Sequence, residues 1–172
     1  MISRSNNTET ILRVEGIGKS FGKKRVLSNV SFSVRRGEIF GILGKNGAGK
    51  TVLINILLGL IKPDTGSIHI FGRDLQQNLS AIRQRINFAS SFQSLQLQAS
   101  IRDNLYAFAG LYQVSDPKEK SEKLLKIFGI QKLANQGKKL FHLSSGENTK
   151  AMLCKAFIND PEIVFLDEPT AS

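Results

Sequence analysis

The chain has 172 residues, of which 41% are hydrophobic and 22% are charged, and its formal net charge is +10. This composition is typical of a globular domain with a real core, and the longest apolar run, Val52 to Ile61, is too short for a membrane span. The polar start of the chain lacks the apolar stretch of a signal peptide, and the single Cys154 excludes an internal disulfide.

The first forty residues are predicted to form strands. Apolar residues alternate with serines from Val30 to Val34, which predicts a strand with one buried face. After a turn at 35–38, the run IFGILG at 39–44 predicts a parallel strand buried on both faces. A glycine-rich loop then leads into a helix, and a short strand follows at 67–71. The predicted buried side of that helix comprises Val52, Leu53, Ile56, Leu57 and Leu60.

From about residue 95 the apolar spacing becomes helical. Ser100 with Asp103 predicts a capping box, and Asp116-Pro117 predicts a second helix start. Gly129 is suited to end that helix. A third helix begins near Ser145, and the apolar run IVFL at 163–166 predicts a strand. We expect Cys154, within that last helix, to be a small buried residue. Strands, a helical insert and a further strand together indicate an α/β domain.

A phosphate-binding loop is predicted at Gly44–Thr51, which reads GKNGAGKT and matches GxxxxGK[ST]. Its glycines let the backbone bend around a phosphate, and the helix N-terminus adds a positive dipole end. Lys50 would reach the β- and γ-phosphates, and the Thr51 hydroxyl would bind Mg²⁺. The predicted ATP-binding set here is Gly44, Lys45, Asn46, Gly47, Ala48, Gly49, Lys50, Thr51 and Val52.

Two adjacent carboxylates, Asp167 and Glu168, close the last apolar run. In a phosphate-loop protein, an acid at the end of a second buried strand lies beside Mg²⁺, directly or through water. Asp167 fits that role, and Glu168 could polarise a water aimed at the γ-phosphate as the catalytic base. Taken alone, the pair would more often be two solvated acids at a strand end.

The segment Leu143–Glu147, LSSGE, is by itself a capping box that opens a helix. The order of motifs, over nearly the whole chain, resembles the ATP-binding subunit of an ABC transporter. LSSGE resembles that family's LSGGQ signature, and 163–172 resembles its Walker B strand and following loop. The resemblance implies a head-to-tail dimer with two ATPs, in which the signature of one subunit faces the phosphate loop of the other. The implied contacts with the partner's ATP are Ser144, Ser145, Gly146 and Glu147.

Two further positions follow from the resemblance. Phe21 matches the aromatic residue that stacks on adenine, although it could also be a core residue at a strand edge. The family carries a magnesium-sensing Gln at the entry to the helical insert. In the family's usual register, the position of this Gln falls on Ser91, and Gln93 lies two residues further on. Either residue could contact the magnesium, and Ser91 is favoured. Some exporter-type ATPases carry Ser there, which favours export.

The implied fold is an α/β P-loop NTPase of ABC type, with a mixed sheet core, an N-terminal antiparallel β part and a helical insert. We expect one ABC ATPase domain over 1–172. Within it, 1–90 is the nucleotide-binding core, 91–142 the helical subdomain and 143–172 the signature helix and Walker B strand. The family's later strands would be missing after Ser172, so we expect open strand edges, uncovered apolar surface and poor solubility.

The function implied is hydrolysis of MgATP to drive export through a separate membrane permease, at the cytoplasmic face of the membrane. One alternative is a truncated remnant that binds nucleotide without hydrolysis. Another is a soluble ABC-type ATPase acting on nucleic acid or the ribosome. Nucleic acid is disfavoured because the basic clusters lack interleaved aromatics. A GTPase is disfavoured because NTKA at 148–151 is not an N-K-x-D motif. The transported substrate is undetermined.

Overall fold

The computed structural model describes residues 9–90 and 95–167. The chain forms two compact units that divide between Ile82 and Arg83. The N-terminal unit contains a four-stranded antiparallel sheet and the phosphate loop, and the C-terminal unit contains a two-stranded parallel sheet and a group of helices.

The antiparallel sheet of the N-terminal unit has the order β2-β1-β3-β4. Its strands are β1 (Thr10–Phe21), β2 (Lys24–Arg35), β3 (Thr65–Ile70) and β4 (Arg73–Asp74). Val14 of β1 lies opposite Phe32 on one side and Ile68 on the other, and it is fully buried. The predicted alternation in β2 is confirmed, because Phe32 is half-buried while its two neighbouring serines are exposed.

Two helices complete this unit, α1 (Lys50–Leu57) and the short α2 (Leu79–Arg83). The predicted apolar side of α1 is confirmed at Leu53, Ile56 and Leu57, which are buried. The prediction is wrong at Leu60, which lies beyond the helix and is 58% exposed. The helix ends early because Gly59 adopts φ +67°, a left-handed conformation that terminates helices.

The strand predicted over 39–44 is not formed, which corrects the sequence analysis. Ile39 and Leu43 are almost fully exposed, although Phe40 stacks on Phe32 with 4.9 Å between ring centroids. A strand requires a neighbour that pairs with its backbone. None of the six described strands is such a neighbour for this segment. Apolar character alone therefore does not make 39–44 a strand.

In the C-terminal unit, as far as the structure describes it, four α-helices lie along the chain between two strands. The unit contains β5 (Ile86–Ser90), α3 (Ile101–Leu111), α4 (Pro117–Ile127), α5 (Gln131–Asn135), α6 (Ser145–Ala156) and β6 (Ile163–Asp167). A single 3₁₀ turn at Leu140–His142 precedes α6. Strands β5 and β6 pair in parallel, and Ser90 lies opposite Asp167 at their C-terminal ends. This parallel pair and the antiparallel sheet fit the predicted α/β class.

The predicted helix ends are confirmed. Asp103 N–H donates to Ser100 Oγ, and Ser100 N–H donates to Asp103 Oδ2, both at 3.2 Å. Glu119 N–H donates to Asp116 Oδ1 at 2.9 Å at the start of α4. Gly129 follows this helix with φ +67°. Each of these ends is determined by residues within four positions of one another, which is why the local sequence predicts them.

One apolar core joins the helices of the C-terminal unit. Its buried members are Leu95, Ile101, Leu105, Ala109, Leu124, Leu125, Ile130, Ala134, Leu140, Leu143, Ala151, Cys154 and Ile158. Burial raises the pKa of the Cys154 thiol to about 12, so this residue is a neutral core group as expected. The core draws residues from both sides of position 143. The boundaries 1–90, 91–142 and 143–172 stay predictions.

Strand β5 had no clear sequence signal. Asn87 interrupts its apolar run, yet this side chain is 1% exposed. The strand is formed by pairing with β6, which lies far along the chain. Across residues 9–90 and 95–167, none of the helices combines the length and the hydropathy that a membrane crossing requires.

Candidate nucleotide-binding site

The phosphate loop bends at two glycines in the left-handed region. Gly47 has φ +78° and Gly49 has φ +92°, and Gly49 is the N-cap of α1. Between them, Ala48 N–H donates to Lys45 O at 3.1 Å and closes a tight turn. Residues 43–48 are exposed, so the outer surface of the loop faces solvent. Only glycine adopts such angles without strain, as the predicted loop requires.

Lys50 folds back across this loop. Its Nζ donates to Gly44 O at 2.9 Å and to Lys45 O at 3.3 Å. Helix α1 carries no acidic residue in its first turn, so nothing there neutralises the positive end of its dipole. A cation, a helix N-terminus and a glycine turn therefore lie together in one loop. This arrangement fits a polyphosphate, and the exposed Thr51 is the second residue of the same helix.

The tight packing behind the loop predicts unequal effects of alanine at its two strained glycines. A Cβ at Gly49 would lie 2.9 Å from both Leu27 Cδ2 and Val26 Cγ1, whereas a Cβ at Gly47 would meet nothing within 4 Å. Gly47→Ala should lower the free energy of unfolding by about 1 kcal/mol, from backbone strain alone. Gly49→Ala should lower the free energy of unfolding by about 2 kcal/mol more than Gly47→Ala does, because its Cβ would overlap with neighbouring atoms. Urea denaturation measures both, and equal losses would contradict this packing.

The signature segment lies at the N-terminus of α6, where Ser144 and Glu147 form a reciprocal capping box. Glu147 N–H donates to Ser144 Oγ at 3.3 Å, and Ser144 N–H donates to Glu147 Oε2 at 2.8 Å. The Ser144 hydroxyl also donates to that oxygen at 2.9 Å. The two bonds that Ser144 donates hold the pKa of the Glu147 carboxyl below its usual range. The bond from the backbone N–H has the larger effect, and the bond from the hydroxyl has the next largest. The capping interpretation is confirmed, and residues 144–146 are exposed.

The capping box predicts a pH-dependent role for Ser144 in stability. Ser144→Ala should lower the melting temperature by about 3 °C at pH 7, because α6 loses its N-cap. Since the folded pKa of Glu147 is lowered, the box stabilises the fold above the unfolded pKa. This contribution is lost as pH falls through the folded pKa. The deficit of the variant should therefore shrink in acid. Ser145→Ala, one exposed residue further on, is the control and should melt like the wild type. Equal melting of both variants would contradict the assignment.

Asp167 ends β6 as a buried carboxylate. It is 8% exposed and lies opposite Ser90, while Phe165 packs inward two residues earlier. Ligands of α/β proteins bind at the carboxyl ends of parallel strands, which is where this acid lies. Glu168, Ser91 and Gln93 fall outside the described residues. Their roles as catalytic base and magnesium contacts therefore stay predictions.

Phe21 is the last residue of β1, and its ring is 50% exposed. Lys19 Nζ lies 5.5 Å from the ring centroid, over the ring. The same Lys19 forms an ion pair with Asp64 at 2.7 Å. The alternative of a core residue at a strand edge is therefore wrong. The ring is accessible, and stacking on adenine stays a prediction.

The predicted site residues divide between the two units. Phe21 and Gly44–Val52 belong to the N-terminal unit, while Ser144–Glu147 and Asp167 belong to the C-terminal unit. One partly buried polar cluster escaped sequence analysis, in which Asn87 bonds to both Lys155 and Asn159. Each of these residue types is ordinary on a strand or helix surface. Only the interruption of an apolar run by Asn87 could have indicated the cluster.

Comparison with known proteins relates the chain to one family. The family model described as ABC transporter matches residues 27–171. The Nod factor export ATP-binding protein I of Bradyrhizobium diazoefficiens is 35% identical over 167 residues, covering 96% of this chain and 54% of that protein. The protein of the same name from Burkholderia lata is 36% identical over 156 residues, covering 90% of this chain and 51% of that protein.

Solved structures agree with these sequence matches. The cbiO1 protein of Clostridium perfringens, described as part of the ABC transporter complex cbiONQ, has a TM-score of 0.82 at 25% identity, covering 95% of this chain and 67% of that chain. The ATP-binding cassette MJ1267 has a TM-score of 0.82 at 28% identity, covering 96% and 71%. The chain spans about half the length of the curated relatives it matches. With the family model covering most of its length, the chain belongs to the ABC transporter family of ATP-binding proteins.

Proposed function

We propose that this chain is the nucleotide-binding part of an ATPase subunit that hydrolyses MgATP to drive export through a separate membrane permease. The observation that carries the proposal is the loop at 44–51, where Lys50 folds over a turn made by Gly47 and Gly49 at the start of α1. The names of the relatives, Nod factor export ATP-binding proteins, support the export direction. The transported substrate would be selected by the permease, at the cytoplasmic face of the membrane.

The proposed roles follow the chemistry of each residue. The loop amides and the Lys50 ammonium would bind the β- and γ-phosphates, and Phe21 would stack on adenine. Thr51 and Asp167 would hold Mg²⁺, with Ser91 or Gln93 as a further contact. When bound, Mg²⁺ neutralises charge on the phosphate oxygens during transfer. Glu168 would accept a proton from the attacking water as the general base.

A second ATPase subunit, paired head to tail, would complete the site. The exposed start of α6 supports this part of the proposal, because the Ser144 hydroxyl and the Gly146 backbone are accessible to a phosphate from outside the chain. A helix N-terminus favours such an anion. The Glu147 carboxylate, held by Ser144, would set how closely that anion approaches.

Reconstitution of the complete gene product tests the function. We expect MgATP turnover that increases when the protein is assembled with its permease in proteoliposomes, and that disappears in the Lys50→Ala variant. Unchanged turnover with the permease, together with stimulation by RNA or DNA that falls steeply with salt, would overturn the transport proposal. The net charge of +10 makes that control necessary. Binding without turnover in every preparation would identify a nucleotide-binding remnant.

A further inference from the structure

Lys155, near the C-terminal end of α6, directs its amine into the C-terminal unit. The Nζ atom donates to Asn87 Oδ1 at 3.1 Å and to Phe88 O at 2.9 Å, both on β5. It also lies 5.0 Å from the centroid of the Phe108 ring of α3, within the range of a cation–π contact. One side chain therefore joins three elements of this unit.

Asn87 bonds to Lys155 at two groups, the side-chain amine and the backbone carbonyl. Its Oδ1 accepts from the amine, and its Nδ2 donates to the backbone Lys155 O at 3.2 Å. Nδ2 also donates to Asn159 Oδ1 at 2.7 Å, and Asn159 Nδ2 donates in turn to Gln84 O at 3.0 Å. These bonds form a closed polar network between the end of α6 and β5.

Within residues 9–90 and 95–167, no carboxylate pairs with the amine of Lys155. Burial lowers its pKa to about 8. Strand β5 has no titratable side chain, and its hydrogen bonds to the amine come from an amide oxygen and a carbonyl. The titratable groups on the elements packed around the amine are Arg102, Asp103 and Tyr106 of α3, Glu147, Lys150 and Cys154 of α6, and Asp167 of β6. None of them contributes to the shift of this pKa.

Desolvation of the amine costs free energy, which its hydrogen bonds and the Phe108 ring offset, so these contacts need not raise the global stability of the fold. The network is therefore weak evidence for a stabilising role. Its position is more informative, because β5 ends at Ser90, opposite Asp167, and runs directly into the predicted sensor residues. Helix α6 begins at the signature, about 15 Å from Lys155 at 1.5 Å per residue.

We propose that Lys155 is a positioning residue for the nucleotide reaction, which locks the signature helix α6 to β5 so that the signature and the Ser90–Asp167 strand ends move as one body. This inference rests on the proposed ATPase function. Protonated Lys155 makes charge-assisted bonds to Asn87 and Phe88, and these weaken when the amine loses its proton.

The pH dependence separates this role from a purely structural one. The folded pKa of Lys155 lies below its unfolded value of 10.5. The unfolded chain therefore binds more protons between pH 8 and 10.5, and stability contributed by this group rises with pH in that window. Positioning by the charged amine is lost over the same window. Above pH 8, ATP turnover should fall while this contribution to stability rises.

Three variants of the complete protein test the inference. Lys155→Met, which keeps the aliphatic chain, should reduce kcat by roughly 10- to 100-fold with an unchanged KM. Lys155→Arg should restore turnover and remove the fall above pH 8, because the guanidinium stays charged. Lys150→Met, on the exposed side of α6, is the matched control and should behave like the wild type. Wild-type kcat in Lys155→Met, or the same fall above pH 8 in Lys155→Arg, would overturn the role.

A measurement on the protein without nucleotide keeps the inference testable if the proposed function fails. Hydrogen exchange of the Phe88–Ser90 amides should be at least about tenfold faster in Lys155→Met than in the wild type at the same pH, because the bonds from the amine to β5 are lost. A tenfold change corresponds to about 1.4 kcal/mol in the free energy of local opening. The amides of α4 should exchange at wild-type rates. Unchanged exchange in β5 would show that Lys155 does not lock the strand. If the wild type shows no ATP turnover but Lys155→Met still shows faster exchange in β5, only the proposed function is overturned.

Discussion

Lys50→Ala abolishes MgATP binding at nucleotide concentrations that saturate the wild-type protein. The Lys50 amine lies across the phosphate loop, within hydrogen-bond distance of Gly44 O. Each charge-assisted bond that it makes to a phosphate is worth about 1.5–3 kcal/mol. Losing two such bonds should therefore raise Kd by at least about 100-fold. Isothermal titration calorimetry with MgATP measures this change directly.

The matched control for this variant is Lys45→Ala, in the same loop. The Lys45 side chain is exposed, and its backbone carbonyl, which accepts from Lys50, survives the substitution. We expect the Kd of this variant to stay within about threefold of the wild type, because Lys45 would serve the ATP-binding set through its backbone amide, which alanine keeps. Both variants should melt like the wild type. If Lys50→Ala bound MgATP with the affinity of the wild type, the assignment of residues 44–51 as a phosphate loop would be wrong.

Glu168→Gln retains MgATP binding and loses turnover. The amide cannot accept the proton of an attacking water at neutral pH, and general-base catalysis contributes about 10²- to 10⁴-fold to a rate. We therefore expect kcat of the complete protein to fall by about 10³-fold, with nucleotide affinity unchanged. Steady-state phosphate release, compared with calorimetric binding, separates the two effects.

Glu162→Gln serves as the control for the carboxylate at position 168. Glu162 precedes β6 and forms an ion pair with Arg85 at 2.6 Å on a part-exposed surface. Removing such a pair should change stability by less than about 1 kcal/mol and leave turnover unaffected. If Glu168→Gln turned over at the wild-type rate, another group would be the base.

Local chemistry made part of the fold predictable. The starts of α3 and α6 were predicted from Ser100–Asp103 and Ser144–Glu147, because each capping box closes between residues three positions apart. The phosphate loop was predicted for the same reason. Gly47 and Gly49 supply the positive φ angles that its turn requires, and Lys50 is near enough along the chain to reach Gly44 O.

Long-range pairing made the rest unpredictable. The run at 39–44 and strand β6 are both apolar, yet only β6 has a described partner strand, with β5 beside it in parallel. Whether an apolar run becomes a strand depends on that partner, because backbone groups need a neighbour to bond. Nothing within either run reports whether the neighbour exists.

By itself, the sequence determined the family, the phosphate loop and the helix starts, because their motifs are short and their bonds are local. Only the tertiary structure decided that Ile39 and Leu43 are exposed, that Phe21 is accessible, and that Asp167 lies beside Ser90. It also decided the partial burial of Lys155, whose amine bonds to Asn87, 68 positions away. Such contacts depend on how distant segments pack, and that information is not contained in the spacing of residues along the chain.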